Sequence, residues 1–262
     1  MTNESDRRWT RRDWIKAGVM IGASAGAGAL TGIALSPTLF GPPSEVEGEI
    51  RESLVYTPWA DVTTWWSPHV GQEIHVMDFG EWQGASAVWR GLFREGVWVR
   101  GTGYPVLVIR VKREDEFFRA PTDVTLPPTY SLYYDDPARD IRIVALFIRC
   151  THLCCWSSWH LFTDPAPLRD YATYGADPPT WTQFGQNPVY CICHGAQYDP
   201  LLLVHDINPT NDVGFIGAQV VHGPAAFAMP VIPLRAVNDV LYGGMADPRW
   251  YDFCERLPPG GM

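Results

Sequence analysis

The sequence predicts a mainly β protein, and three observations predict it. Stretches rich in Val, Ile and aromatic residues lie between turn signals at 73–79, 85–92, 104–112 and 141–150. The 23 Pro and 24 Gly favour many turns and short strands over long helices. Apolar spacing at the helical period is scarce in the body, where only 236–241 and 249–256 suit short helices.

The 262 residues leave room for one sizeable domain with a tail, or for two small domains. An apolar fraction of 46%, with 13% aromatic residues, fits a packed globular body. The net charge of −9 argues against a nucleic-acid partner, which needs a concentration of Lys and Arg.

The N-terminal segment, 1–16, is the basic exception. Arg7, Arg8, Arg11, Arg12 and Lys16 stand against Glu4, Asp6 and Asp13, a net of +2 that leaves −11 on the rest. Thr10-Arg11-Arg12-Asp13-Trp14-Ile15-Lys16 resembles a twin-arginine export signal, with a plain positive-inside cluster as the alternative. The 28 positions from 17 to 44 then hold no charge. Residues 17–36 would span about 30 Å as a helix, the thickness of a bilayer's hydrocarbon core. The segment 17–40 is therefore expected to be a single transmembrane anchor, with the N-terminus cytoplasmic and the body on the extracytoplasmic side. Gly18, Gly22 and Gly26, and Gly28 with Gly32, have spacings that let membrane helices pack closely. A secretory signal cleaved near Ala23-Ser24-Ala25 is the alternative.

Residues 41–55, opening on Gly41-Pro42-Pro43 and rich in acid, suit a solvated tether that could act as a hinge. The remainder, 56–262, is expected to form the globular domain. Besides the four long strands, 188–192 and 201–205 are shorter candidates. Residues 156–186 are aromatic and Pro-rich with no clean period, and read as a long excursion with room for one short helix. There is no internal repeat, dinucleotide fingerprint or phosphate-binding loop.

Two short segments hold five of the six cysteines: Cys150-Thr151-His152-Leu153-Cys154-Cys155 and Cys191-Ile192-Cys193-His194-Gly195-Ala196-Gln197-Tyr198. Each falls where a predicted strand runs into a turn, and strand-end loops on a rigid scaffold can present ligands with little backbone strain. Cys and His at short spacing bind zinc, but five cysteines and two histidines overfill one tetrahedral ion. Two Cys with two His instead suit an iron–sulfur centre in which His replaces Cys on one of the two irons. Neutral imidazole removes negative charge and raises the potential, to values of roughly −150 to +300 mV. A ring nitrogen not bound to iron also stays able to exchange a proton.

These segments resemble the loops of Rieske subunits of cytochrome bc-type complexes, which read Cys-Thr-His-Leu-Gly-Cys and Cys-x-Cys-His-Gly-Ser-x-Tyr. The departures are Cys154 for Gly and Ala196 for Ser. His222-Gly223-Pro224-Ala225 looks like the family's proline loop, which covers a third side of the cluster. Identity at the residue level is confined to about twenty positions. The 35 residues between Cys155 and Cys191 exceed what common members have.

The resemblance implies a Rieske-type antiparallel β-sandwich with a small cluster-binding subdomain at about 149–226. It implies one 2Fe–2S cluster, with Cys150 and Cys191 on the inner iron and His152 and His194 on the outer. Cys155 and Cys193 would form a disulfide tying the loops together, which suits an oxidising compartment. Tyr198 would donate to a ligand sulfur, Leu153 would help form an apolar docking tip, and Pro224 would cover the cluster. Ala196 lacks the hydroxyl that the family's serine donates to a bridging sulfide. Cys154 and Cys254 stay open, as two buried thiols or as a second disulfide.

The function implied is that of the redox subunit of a membrane quinol:cytochrome c oxidoreductase, with no turnover alone. Its partners would be a cytochrome b-type subunit, quinol, and a cytochrome c-type heme or copper-protein acceptor. His194, with His152, would be the catalytic histidine that accepts quinol's hydrogen bond and proton. The rival is a Rieske electron-transfer subunit of another exported oxidoreductase, similar to that of arsenite oxidase. His69, His75, His160 and His205 read as surface or hydrogen-bonded residues.

Overall fold

The computed structural model describes residues 48–59, 63–113, 118–159 and 189–254. The segment that resembles an export signal, the expected anchor at 17–40, most of the excursion and the last eight residues lie outside these. Among the described residues no helix is long and apolar enough to cross a membrane.

The protein is mainly β, and every named strand pair is antiparallel. A small sheet joins β1 (Glu49–Ile50), β4 (Leu92–Arg94) and β5 (Val97–Trp98). A five-stranded sheet joins β2 (Val55–Tyr56), β3 (Gly84–Trp89), β6 (Tyr104–Val111), β8 (Ile141–Phe147) and β7 (Tyr134–Asp136), in that spatial order. The second five-stranded sheet runs β13 (Met229–Pro230), β12 (Val213–His222), β11 (Gln197–Asn208), β10 (Val189–Cys191), β9 (Ser157–Trp159). A hairpin of β14 (Leu234–Val237) and β15 (Val240–Gly243) completes the strands.

The sequence of each strand explains its place. β8 reads Ile-Arg-Ile-Val-Ala-Leu-Phe and is buried throughout, as a strand between two neighbours and under a second layer must be. Its one charge, Arg142, pairs with Asp135 at 2.9 Å and lies over the Phe118 ring at 4.4 Å, so burial does not strand it. The two large sheets share one apolar core. They are stitched by Ile232 N donating to Ala145 O at 2.8 Å and Trp159 Nε1 donating to Trp82 O at 2.9 Å. Each large side chain in this core stabilises the fold by about 1.5–3 kcal/mol relative to exposure.

Four expectations change. Residues 73–79 keep their alternation, with Ile74, Val76 and Phe79 buried, but make only isolated bridges. The Asp78 carboxylate accepts from His75 N at 2.9 Å and Tyr56 Oη at 3.0 Å, capping a turn that ends the pairing. Residues 236–241 form the β14–β15 hairpin rather than a helix. Asn238 and Asp239 occupy its two turn positions with φ of 49° and 65°, the conformation of a two-residue hairpin loop. Residues 249–254 form two single 3₁₀ turns, Pro248–Trp250 and Asp252–Cys254, because Asp247 caps a Pro-led turn too short to propagate. Part of the stretch 41–55 expected as a tether is packed instead, with β1 and the start of β2 paired and Leu54 and Val55 fully buried.

Candidate metal centre

Two loops with the same backbone turn build the centre. In the first, Cys154 N donates to Cys150 O and Cys150 N to Cys155 O, both at 2.8 Å. In the second, Gly195 N donates to Cys191 O at 3.0 Å and Cys191 N to Ala196 O at 2.8 Å. The fifth residue of each turn is left-handed, Cys154 with φ 59° and Gly195 with φ 77°. Glycine adopts that conformation freely, and a side chain there is strained. The first loop follows β8 and the second joins β10 to β11, so both issue from the buried sheets.

The loops are cross-linked by a Cys155–Cys193 disulfide, with Cα atoms 6.5 Å apart. A second disulfide, Cys154–Cys254, ties the first loop to the C-terminal 3₁₀ turn, with Cα atoms 5.6 Å apart. Of the two alternatives for this pair, the disulfide is the one formed. Cys150 and Cys191 remain as buried free thiols.

The rings of His152 and His194 meet edge to face with centroids 4.8 Å apart. His194 is exposed, His152 is half-buried, and Leu153 (51% exposed) and Ile192 (54%) flank them at the surface. The prominence of Ile192 escaped sequence reasoning, because a lone apolar residue between cysteines looks like core.

Tyr198, fully buried on β11, links the loops to the sheet. Its hydroxyl lies 3.2 Å from Cys150 Sγ and accepts from Thr151 N at 2.9 Å. Thr151 Oγ1 lies 3.0 Å from the same hydroxyl and donates to Phe227 O at 2.5 Å, which brings the 222–227 loop to the site. Gly223 (φ 88°) sits so close that a Cβ there would stand 2.5 Å from Ala196 Cα. That contact brings the third loop, with exposed Pro224, against the backbone of Ala196. Sequence reading assigned no role to Thr151 or Phe227, since a loop carbonyl acquires meaning only in three dimensions.

The electrostatics favour thiolate at Cys150. A hydrogen bond from the Cys191 thiol, then one from Tyr198 and the backbone N–H groups of His152 and Leu153, lower the Cys150 thiol to about 6. The partner thiol, Cys191, is pushed up by donating that bond, by burial and by the charge on Cys150. Backbone N–H groups of Cys193 and His194 act on Cys191 in the opposite, lowering direction. Burial and the neighbouring Cys150 raise Tyr198, so it stays a donor.

The donor set fits a two-iron centre with mixed ligands. Nδ1 of His152 is buried and has no hydrogen-bond partner, an unusual cost unless a ligand bond takes it up. Two buried thiols stay unpaired where the other four cysteines pair. The sulfurs of Cys155, Cys191 and Cys193 also lie within 4.8 Å of one another. With Cys155 and Cys193 joined, that trio holds one free thiol and is no separate ion site in the oxidised form. Elsewhere, His205 pairs with Asp123 at 2.8 Å, His69 meets the Tyr56 ring at a tilt with centroids 5.6 Å apart, and His75 is exposed. His160 lies outside the described residues.

No protein-family model matches this chain, and no curated protein matches it either.

Proposed function

We propose that the chain is the 2Fe–2S electron-transfer subunit of a membrane quinol:cytochrome c oxidoreductase. It would accept an electron from quinol and pass it to a cytochrome c-type heme or copper acceptor. The observation that carries the reading is the convergence of Cys150, Cys191, His152 and His194 at two cross-linked loop tips, with one histidine at the surface. The two cysteines and His152 Nδ1 would serve as ligand atoms, with His194 supplying the fourth. When bound, a cluster of this kind supplies reversible one-electron transfer.

The chain's own residues supply the rest. His194 presents a ring to solvent, so the nitrogen it does not use as a ligand can accept a quinol hydroxyl proton and later release it. Leu153 and Ile192, exposed beside it, exclude water once a partner subunit covers them. Tyr198 and the backbone N–H groups of His152 and Leu153 favour the anionic form of Cys150. The Rieske-type sandwich, the anchor at 17–40 and the extracytoplasmic location belong to the same reading. Two antiparallel five-stranded sheets, two disulfides and the uncharged run from 17 to 44 support them.

The test is to solubilise membranes containing the tagged full chain, and to assay iron, acid-labile sulfide and co-purifying subunits. A low-average-g paramagnetic signal together with a cytochrome b subunit is the expected result. A large molybdenum subunit in its place would assign the chain to the arsenite oxidase-like alternative. Zinc without iron would overturn both.

A further inference from the structure

Arg149 stands at the mouth of the first loop, where it bridges Trp156 across the turn. Its Nη1 donates to Cys154 O at 3.1 Å, and its guanidinium lies 4.2 Å from the centroid of the Trp156 ring. Trp156 in turn meets Trp59 edge to face, with centroids 6.1 Å apart. The arginine is therefore held on two sides, by a carbonyl of the ligand loop and by an indole face. Among the described residues no carboxylate pairs with it, although the chain outside the N-terminal segment carries a net −11. The positive charge thus sits half-buried, without a carboxylate among the described residues, on the residue that precedes Cys150 in the chain and on the carbonyl of the same loop's Cys154.

We propose that Arg149 is a tuning residue, a fixed positive charge that raises the reduction potential of the cluster held by Cys150, His152, Cys191 and His194. The inference rests on the reading of this site as a 2Fe–2S centre. Reduction adds one electron, and so one negative charge, to the site, with no bond formed or broken. A nearby cation stabilises the more negative state, and the effect is larger where protein replaces water around it. A half-buried charge is also screened less by salt than an exposed one. Arg149 opposes the loss of the hydroxyl donor at Ala196, which acts to lower the potential.

The experiment is a dithionite titration of the detergent-solubilised full chain, followed by the cluster's absorbance, for wild type, Arg149→Met and Arg149→Lys. Arg149→Met should reduce the equilibrium for reduction about tenfold, or about 59 mV for a one-electron couple. Arg149→Lys should recover most of that shift, and the Met shift should persist at high salt. If Arg149→Met fails to assemble, Arg149→Gln, neutral but still able to donate to Cys154 O, carries the same prediction. A neutral variant titrating at the wild-type potential would overturn the assignment. So would a Lys variant displaced as far as Met, because shape rather than charge would then be the cause. Wild-type protein without iron and acid-labile sulfide would instead overturn the reading of the site itself.

Discussion

His152 and His194 differ in what surrounds them: a buried, unpartnered Nδ1 for the first and an exposed ring for the second. Both are predicted to be indispensable, so His152→Ala and His194→Ala should each abolish the low-average-g signal. A full-strength native signal in either variant would remove that histidine from the ligand set. Ala196 makes a subtler case. Its carbonyl accepts from Cys191 N and its backbone receives Gly223, so the residue is positioned by main-chain contacts alone. A serine there would add a donor toward the cluster and stabilise the electron-rich reduced state. Ala196→Ser should therefore titrate at a higher potential than wild type, and wild type should lie in the middle or lower part of the range for such complexes. That range suits a low-potential quinol such as menaquinol. An equal or lower potential for the serine variant would refute the argument. The candidate ligands were legible in the two Cys/His segments, whereas Thr151 and Arg149 became legible only with the partners they reach in space.

The two candidate ligand loops share one turn, and each has a left-handed fifth residue. Gly195 adopts that conformation directly. Cys154 adopts it with strain of order 1–3 kcal/mol, held in place by its disulfide to Cys254 and by Arg149. The two disulfides should then separate by effect. Cys155–Cys193 links the two ligand loops, so Cys155→Ser or Cys193→Ser should leave a cluster that assembles but is less stable and shifted in potential. Cys154–Cys254 spans 100 positions against 38 for the other, so in the chain-entropy picture it constrains the unfolded chain more. Cys254→Ser should lower unfolding stability by about 2–4 kcal/mol with a milder change in potential. Denaturant melts beside redox titrations measure both, and a reversed ranking would count against these roles. Gly223 tests the third loop: Gly223→Ala places a methyl against the Ala196 backbone at a positive φ. It should cost about 1–3 kcal/mol and speed cluster loss on dilution. An unchanged melt would mean that the loop yields freely.

Over the whole chain, the proposed function asks for a head carried on a tether, and the tether expected from 41 onward lies outside the described residues up to 47. Replacing residues in 44–47 with further prolines should slow turnover in the assembled complex while leaving the cluster spectrum unchanged. Unaltered turnover would argue against a swinging head. The charge distribution bears on the same scale. With −11 outside the N-terminal segment, association with a basic soluble acceptor should weaken as salt rises. The fold itself was partly legible. β6 and β8 lie within the predicted 104–112 and 141–150, because a buried central strand writes an apolar run into the sequence. The β14–β15 hairpin was not legible, because six residues of mixed polarity fit either period and the Asn-Asp turn decides between them.

What the sequence determined by itself was the local chemistry: which segments are apolar enough to be strands, and which cysteines and histidines stand at their ends. Residue type and spacing suffice for that, since a ligand's chemistry belongs to its side chain. What only the tertiary structure decided was which of those groups meet. It left Cys150 and Cys191 free, joined Cys154 to Cys254, brought the Gly223 loop against Ala196, and set Arg149 beside the first loop. The resemblance of the loops had already implied the Cys155–Cys193 pairing across 38 positions, but the pairing across 100 positions depends on how two sheets share one core, and no local pattern encodes it.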